Sequence, residues 1–402
     1  MPKPELLNIL TASTTPRLSQ TTHNPRDVLV QVHEYFGGQG FFYTRQTVAN
    51  YYVSLKTKPF VILAGPSGTG KSQLPRLFAA ALGHADRCLT IPVRPDWTDP
   101  GDILAFPDLQ GRYRRHALLR WILRANADPE HPYWVVLDEM NLAKVEYYLS
   151  DILSIMETRR WEDGHILTDP LFGPIDETTS HPEDQDLVGL TWPQNLYLVG
   201  TVNIDESTQA LSKRVLDRSN VIEINEVRLD WPEETTPIEP LSSVFQDFTT
   251  SEYLSSHDLG KEEKAILKTP MHWLSQVHLL MGKYDLPLGY RLRDEFAFYM
   301  LYRERIKELV AEGEALDRQF LQKILPKVYG VSPRLGMLLK EMMALLAPKA
   351  MQDLNLELSN LEDIEVRLKD PFRRKLPFPR SLEKLLLMYR RFEEEGFVSY
   401  WL

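Results

Sequence analysis

The run VILAGPSGTGKSQLPRLFAAALG, residues 61–83, limits the fold more tightly than any other part of the chain. An apolar segment ends in a glycine-rich loop, and an amphipathic segment follows at once. Gly65, Gly70, Lys71 and Ser72 fill every fixed position of the spacing GxxxxGK[ST]. The glycines let the backbone curl so that its N–H groups point inward at an anion. Those donors stand at a helix N-terminus, whose dipole also favours negative charge. The spacing predicts a strand, a phosphate-binding loop of Gly65, Pro66, Ser67, Gly68, Thr69, Gly70, Lys71 and Ser72, and a helix from Gly70 to Leu82. Lys71 is expected at the β- and γ-phosphates of a triphosphate and Ser72 at Mg²⁺. Pro75 is a local conflict, because its ring crowds the carbonyl of Lys71. It falls in the first turns, where N–H groups lack partners in any case.

Further short apolar runs, CLTIPVRP (88–95), YWVVLDEM (133–140) and NLYLVGTVN (195–203), alternate with helical patterns. Such alternation predicts an α/β fold built on a parallel sheet flanked by helices. Helical spacing also covers Val28–Leu55, broken by FGGQG at 36–40, whereas the acidic, turn-rich residues 162–192 read as an inserted hairpin or loop. Beyond about Asn225 the strand signals fade, and WLSQVHLLMGKY, EFAFYMLYRERIKELVAEG and SLEKLLLMYRRFEEEG carry helical periodicity. The expected division is a flexible lead-in over 1–27, a nucleotide-binding α/β domain over 28–225, and an all-helical lid with a C-terminal helical region over 226–402.

Composition narrows the setting. No run of about 18 apolar residues exists, so no membrane span is expected. Cys88 is the single cysteine, which rules out an internal disulfide and fits a reducing cytoplasm. A formal charge of −10 argues against coating nucleic acid through bulk charge. The basic strips GRYRRHALLRWILR (111–124) and PFRRKLPFPR (371–380) are read as solvated faces paired with neighbouring acids, in preference to a pore or nucleic-acid contact.

The remaining chemistry gathers at predicted strand ends. WVVLDEMN (134–141) puts Asp138 and Glu139 at the C-terminal end of an apolar strand, where ligands of open parallel sheets bind. Asp138 is expected to hold Mg²⁺, and Glu139 to orient or deprotonate an attacking water. Asn203 ends the next strand, where an uncharged amide can hold that water. Arg214 and Arg218 follow on a predicted helix and offer cations for charge developing on a phosphoryl group. If neither reaches its own nucleotide, one acts on a neighbouring subunit's. Arg291, Arg293 and Arg334 lie in the helical half, where one of them is expected to report nucleotide occupancy. The scattered histidines show no metal-ligand spacing.

Loop, acid pair, polar strand end, arginine helix and helical lid together resemble the AAA+ superfamily. VVLDEMNLAKVEYYLSDILSIMETR, GTVNIDESTQALSKRVLDRSNVIEI and PFPRSLEKLLLMYRRFEEEGFVSYW are similar to one branch, the McrB-type motors of restriction systems. The resemblance implies that Lys71 and Ser72 belong to Walker A, Asp138 and Glu139 to Walker B, and Asn203 to sensor 1. It implies Arg218 as a finger acting in trans, with Arg214 as second choice, and Arg334 at sensor 2. It further implies a homo-oligomeric, commonly hexameric ring that hydrolyses GTP or ATP with Mg²⁺ and drives a separate nuclease subunit. DNA would be met through that partner or the ring's pore. The branch's MNTAD stretch, linked to GTP, reads VNIDE here, with Asp205 and Glu206 near the acid position, and base preference stays open. Only about 30 to 55 residues precede the core, too few for an independent reader domain, so a motor alone, naturally or by truncation, is expected. The alternative is a MoxR-like or dynein-related chaperone that remodels a protein partner.

Overall fold

Phe60–Gly65 is apolar throughout and buried along its whole length, the pattern of a strand covered on both faces. The computed structural model describes residues 24–173, 182–204, 211–229, 238–242, 244, 248–347 and 377–401. In chain order the first part runs α1 (Pro25–Gly38), α2 (Arg45–Thr57), β1 (Phe60–Gly65), α3 (Gln73–Ala81), β2 (Cys88–Pro92), β3 (Ala105–Pro107), β4 (Tyr113–Arg115) and α4 (Ala117–Ala127). It continues with β5 (Tyr133–Asp138), α5 (Val145–Tyr148), α6 (Ser150–Ile155), β6 (Arg160–Glu162), β7 (His165–Leu167), β8 (Leu196–Asn203), α7 (Lys213–Leu216) and β9 (Asn220–Glu223). The second part is helical: α8 (Lys261–Ile266), α9 (Lys268–Gly282), α10 (Tyr290–Glu304), α11 (Glu312–Gln319), α12 (Pro333–Leu346) and α13 (Pro379–Glu395).

The main sheet has the order β2-β5-β8-β1-β9 with every pairing parallel. This is the expected α/β architecture followed by a helical domain. Along β1 the side chains alternate, as a strand's period of two requires. Val61 and Leu63 join a core with α1, α2, α3 and the helical part, whereas Phe60, Ile62 and Ala64 join a second core with α4, α5 and α6.

Some boundaries differ from those expected. Helix α3 starts at Gln73 rather than Gly70, because Gly70 has a φ of +86° and still belongs to the loop. The residue crowded by Pro75, Lys71, thus lies outside the helix. Helix α1 begins at Pro25, inside the stretch expected as lead-in, since Asn24 Oδ1 accepts from Arg26 N at 3.1 Å and Pro25 suits the first turn. The hairpin β6–β7 begins at Arg160, two residues before the expected insertion, and turns on Asp163 and Gly164, both with positive φ. Asp205 and Glu206, residues 371–376 of the second basic strip, and 174–181 of the insertion lie outside the described residues. In the first strip, Arg115 pairs with Asp184 and Asp186, and Arg124 pairs with Asp86 while stacking on Trp121.

Helices α2 and α10 bind the two parts together through polar contacts. Tyr299 donates to Asn50 Oδ1 at 2.6 Å. Buried Glu295 accepts from Lys58 and Lys323 together, and Lys58 also reaches Glu157 at 2.7 Å. Burial alone would raise the Glu295 carboxyl, but the two ammonium charges outweigh it and hold it down at about 2. Glu295→Gln removes the carboxylate paired with buried Lys323 and leaves Lys58 with Glu157. It should cost about 3–5 kcal/mol of folding stability, read by denaturant unfolding; a loss below about 1 kcal/mol would show that water already screens the cluster.

Candidate functional site

Parallel register brings the C-terminal ends of β1, β5 and β8 level, with Gly65 beside Asn203 and Leu137 beside Gly200. The phosphate loop therefore opens directly over the acid pair. Ser72 Oγ donates to Asp138 Oδ1 at 2.5 Å. Thr201 Oγ1 donates to the same oxygen at 2.7 Å and accepts from Glu139 N at 2.9 Å. Asn203 Nδ2 donates to Glu139 Oε1 at 2.9 Å, and Asn141 Nδ2 donates to Asn203 O at 3.2 Å. Lys71 is buried, and its ammonium donates across the loop to Gly65 O at 3.0 Å and Pro66 O at 2.5 Å.

Glu139 adopts a φ of +52°, uncommon for a residue with a long side chain. Such backbone persists where the surroundings over-determine it, and it concentrates at functional sites. Two neighbours impose it here. Thr201 holds the Glu139 N–H, while Met140 tucks against Gly200 so closely that a Cβ on Gly200 would stand 1.9 Å from the Met140 sulfur. The turn lifts the Glu139 side chain to the surface beside Asn203, whereas Asp138 points back to Ser72.

The Ser72 hydroxyl and the Asp138 carboxylate are hard oxygen donors brought within hydrogen-bond distance, and they suit Mg²⁺. Such an ion takes one or two protein ligands and completes its shell with phosphate and water. No group of three or more His, Cys, Asp or Glu side chains among the described residues is arranged to hold a metal.

A cleft of about 980 Å³ adjoins the phosphate loop. Tyr43 lines it and donates through its hydroxyl to Gly70 O at 2.8 Å. Ile224 also lines it and donates through its N–H to Ala64 O at 2.8 Å. The opposite wall carries Arg318, Leu321 and Gln322 from the helical part. Asn50 lies on the same wall, and its Nδ2 is a buried donor with no hydrogen-bond partner among the described residues.

The cationic residues fall in different places. Helix α7 is only one turn long, so Arg214 is on it, exposed, whereas Arg218 stands in the turn beyond, part-exposed. Neither side chain has an ion pair or hydrogen bond among the described residues. Arg218 precedes Asn220, which pairs with Val61 at the start of β1. About 13 Å of strand, at roughly 3.3 Å per residue, separates that level from the phosphate loop of the same chain. Arg334 is exposed at the start of α12, where it pairs with Asp285 at 3.0 Å and donates to Lys283 O at 2.7 Å. Arg291 meets Glu157 at 2.6 Å within the Lys58 cluster, and Arg293 pairs with Asp294.

Sequence reasoning missed Thr201, Asn141 and Tyr43. Thr201 stands two residues before Asn203 in β8, so a period of two would have put both on one face. Asn141 lies two residues beyond Glu139. Tyr43 carries no local signal, because its contact with Gly70 depends on how α2 packs against β1.

Residues 60–219 match the family model of the AAA domain, dynein-related subfamily. Residues 237–397, which contain the helical part, match a domain of unknown function, DUF8727. No curated protein matches the chain. Among solved structures, a protein of Cytophaga hutchinsonii proposed to be an ATPase is 14% identical, with a TM-score of 0.37 over 72% of this chain and 80% of that one. A full-length MCM homologue of Methanopyrus kandleri is 12% identical, with a TM-score of 0.36 over 73% and 61%. Hsp104 in its closed state with ATPγS and casein is 15% identical, with a TM-score of 0.34 over 52% of this chain and 38% of its own. Scores this low carry no weight for activity or partners. The family match and the strand-end geometry agree on one point: residues 60–219 have an AAA+ P-loop fold.

Proposed function

We propose that the chain hydrolyses a nucleoside triphosphate, GTP or ATP, and works as the motor subunit of a ring that drives a separate nuclease, as in McrBC-like restriction and defence systems. The observation that carries the hydrolytic part is the pairing of Glu139 with Asn203 beside a phosphate loop. A nucleotide store needs the loop alone. Hydrolysis also needs a base and a group to place the water, and both stand level with Ser72.

The roles follow from position. The N–H groups of Gly65 and of residues 67–72 receive the β- and γ-phosphates, and Lys71 exchanges its carbonyl partners for phosphate oxygens. Ser72 and Asp138 would hold Mg²⁺, which neutralises phosphate charge when bound. Asn203 orients the Glu139 carboxylate, which takes a proton from the attacking water. The cleft behind Tyr43 has the size of a small-molecule site and would take base and ribose. Arg218 lies far from its own loop, which supports action on the next subunit's nucleotide in a ring. Arg214 is the second choice for that role. The dynein-related match also favours a second reading, the same chemistry used to remodel a protein partner. Turnover and cleavage measured with a co-encoded nuclease chain and DNA separate the two.

Lys71→Ala should lose affinity for a labelled triphosphate, since it removes the ammonium of the cradle; unchanged affinity would move the site elsewhere. Glu139→Gln should keep binding and lose turnover by roughly 10²–10⁴-fold, the usual contribution of a general base. GTP and ATP compared side by side then give the base preference.

Arg218→Ala should bind normally and turn over slowly, by about 10³-fold or more if it acts as a finger. Mixing it with Glu139→Gln creates interfaces with an intact Glu139 on one side and an intact Arg218 on the other. Partial recovery on mixing is the expected result. Mixed assemblies that form yet recover nothing would place Arg218 in cis or in a structural role and leave Arg214 to be tested.

A further inference from the structure

After α11 the chain does not continue as an α-helix. Phe320–Ile324 forms a π-helical turn and Leu325–Lys327 a 3₁₀ turn. π-Turns widen a helix locally and recur at functional sites. This one has two distinct faces. On one, Leu321 and Gln322, with Arg318 just before the turn, line the cleft, and Gln322 Nε2 donates to Asn50 Oδ1 at 2.8 Å. On the other, buried Lys323 donates to Ser219 O at 2.5 Å. Lys327 pairs with Asp217, and the Lys213 ammonium stands 4.6 Å from the centre of the Tyr329 ring. Three contacts from the helical part thus bracket residues 213–219, and Arg218 sits between the two lysine contacts.

Buried Val215 and Leu216 anchor one side of the Arg218 turn and Asn220 in β9 the other, and Ser219 Oγ donates to Val215 O at 3.0 Å, but none of these holds the Arg218 side chain itself. Helix α7 spans four residues, and the side chain of Arg218 has no partner among the described residues. A buried ammonium bonded at once to a carbonyl and to Glu295 is directional and stiff. We propose that Lys323 and Lys327 are positioning residues for Arg218: they fasten its turn to the lid segment whose opposite face lines the nucleotide cleft. Nucleotide in one subunit's cleft then sets how that subunit presents Arg218 to its neighbour. The inference rests on the reading of Arg218 as the transition-state cation.

The test uses Lys327, which is less deeply buried than Lys323, in the full-length protein. Lys327→Met should lower kcat by roughly tenfold to a hundredfold, because a displacement of about 1 Å at a reacting group can cost about 10²-fold. KM for the triphosphate should stay within about twofold, and Lys327→Arg should restore most of the rate. Asp217→Asn, which breaks the same pair from its exposed side, should reproduce the loss and guards against a folding defect in the methionine variant. Hydrogen exchange adds a readout that bulk stability does not move. With a non-hydrolysable triphosphate, wild type should gain protection at both 65–72 and 213–219, and Lys327→Met at 65–72 alone. Wild-type kcat in Lys327→Met and Asp217→Asn, with Arg218→Ala inactive, would overturn the clamp while leaving the finger. Full turnover in Arg218→Ala would sink the finger and the proposal together.

Discussion

The parallel pairing of β1 with β8 is the constraint on which the rest depends. It sets Gly65 beside Asn203, so the start of the phosphate loop and the polar end of the neighbouring strand share one level. Pairing of β8 with β5 then brings Asp138 and Glu139 to the same edge. A shift of one residue in either ladder would move every side chain to the opposite face. It would separate Ser72 from Asp138 and Glu139 from Asn203. The apolar strands keep that register because both faces are buried and a slip would expose core.

Two adjacent carboxylates acquire different environments through one strained residue. Asp138 stays at the strand end and accepts from Ser72 and Thr201. The positive φ at Glu139 turns the next side chain away to Asn203. Met140 filling the space over Gly200 holds that turn in place. An acid facing Ser72 and an acid facing Asn203 thus arise from consecutive residues, which a regular strand end would point to opposite faces of the sheet.

The helical part is more than a cover. Its buried polar contacts, Glu295 with two lysines and Gln322 with Asn50, tie it to α2 and the start of β1. Its π-turn reaches both the cleft and the arginine-bearing turn. A buried charge cluster is a poor source of stability, because desolvation offsets much of the attraction. It does define one geometry sharply, on the segment that touches both the cleft and residues 213–219.

The sequence alone determined the phosphate loop, the acid pair and the polar end at Asn203. Each is encoded by residues within a few positions of one another, where glycine freedom, strand period and strand-end chemistry act locally. It also indicated the change from α/β to helical structure near Asn225, because hydrophobic period is a local property. Its errors were at edges: the start of α3, displaced by the left-handed Gly70, and the helix expected to carry Arg218, which ends at Leu216. Tertiary structure decided the rest. Tyr43 meets Gly70 across 27 residues and Thr201 meets Asp138 across 63. Lys323 meets Ser219 across 104, and Lys327 meets Asp217 across 110. No local pattern specifies such pairs, because they form only when buried apolar faces have fixed how the helices lie on the sheet.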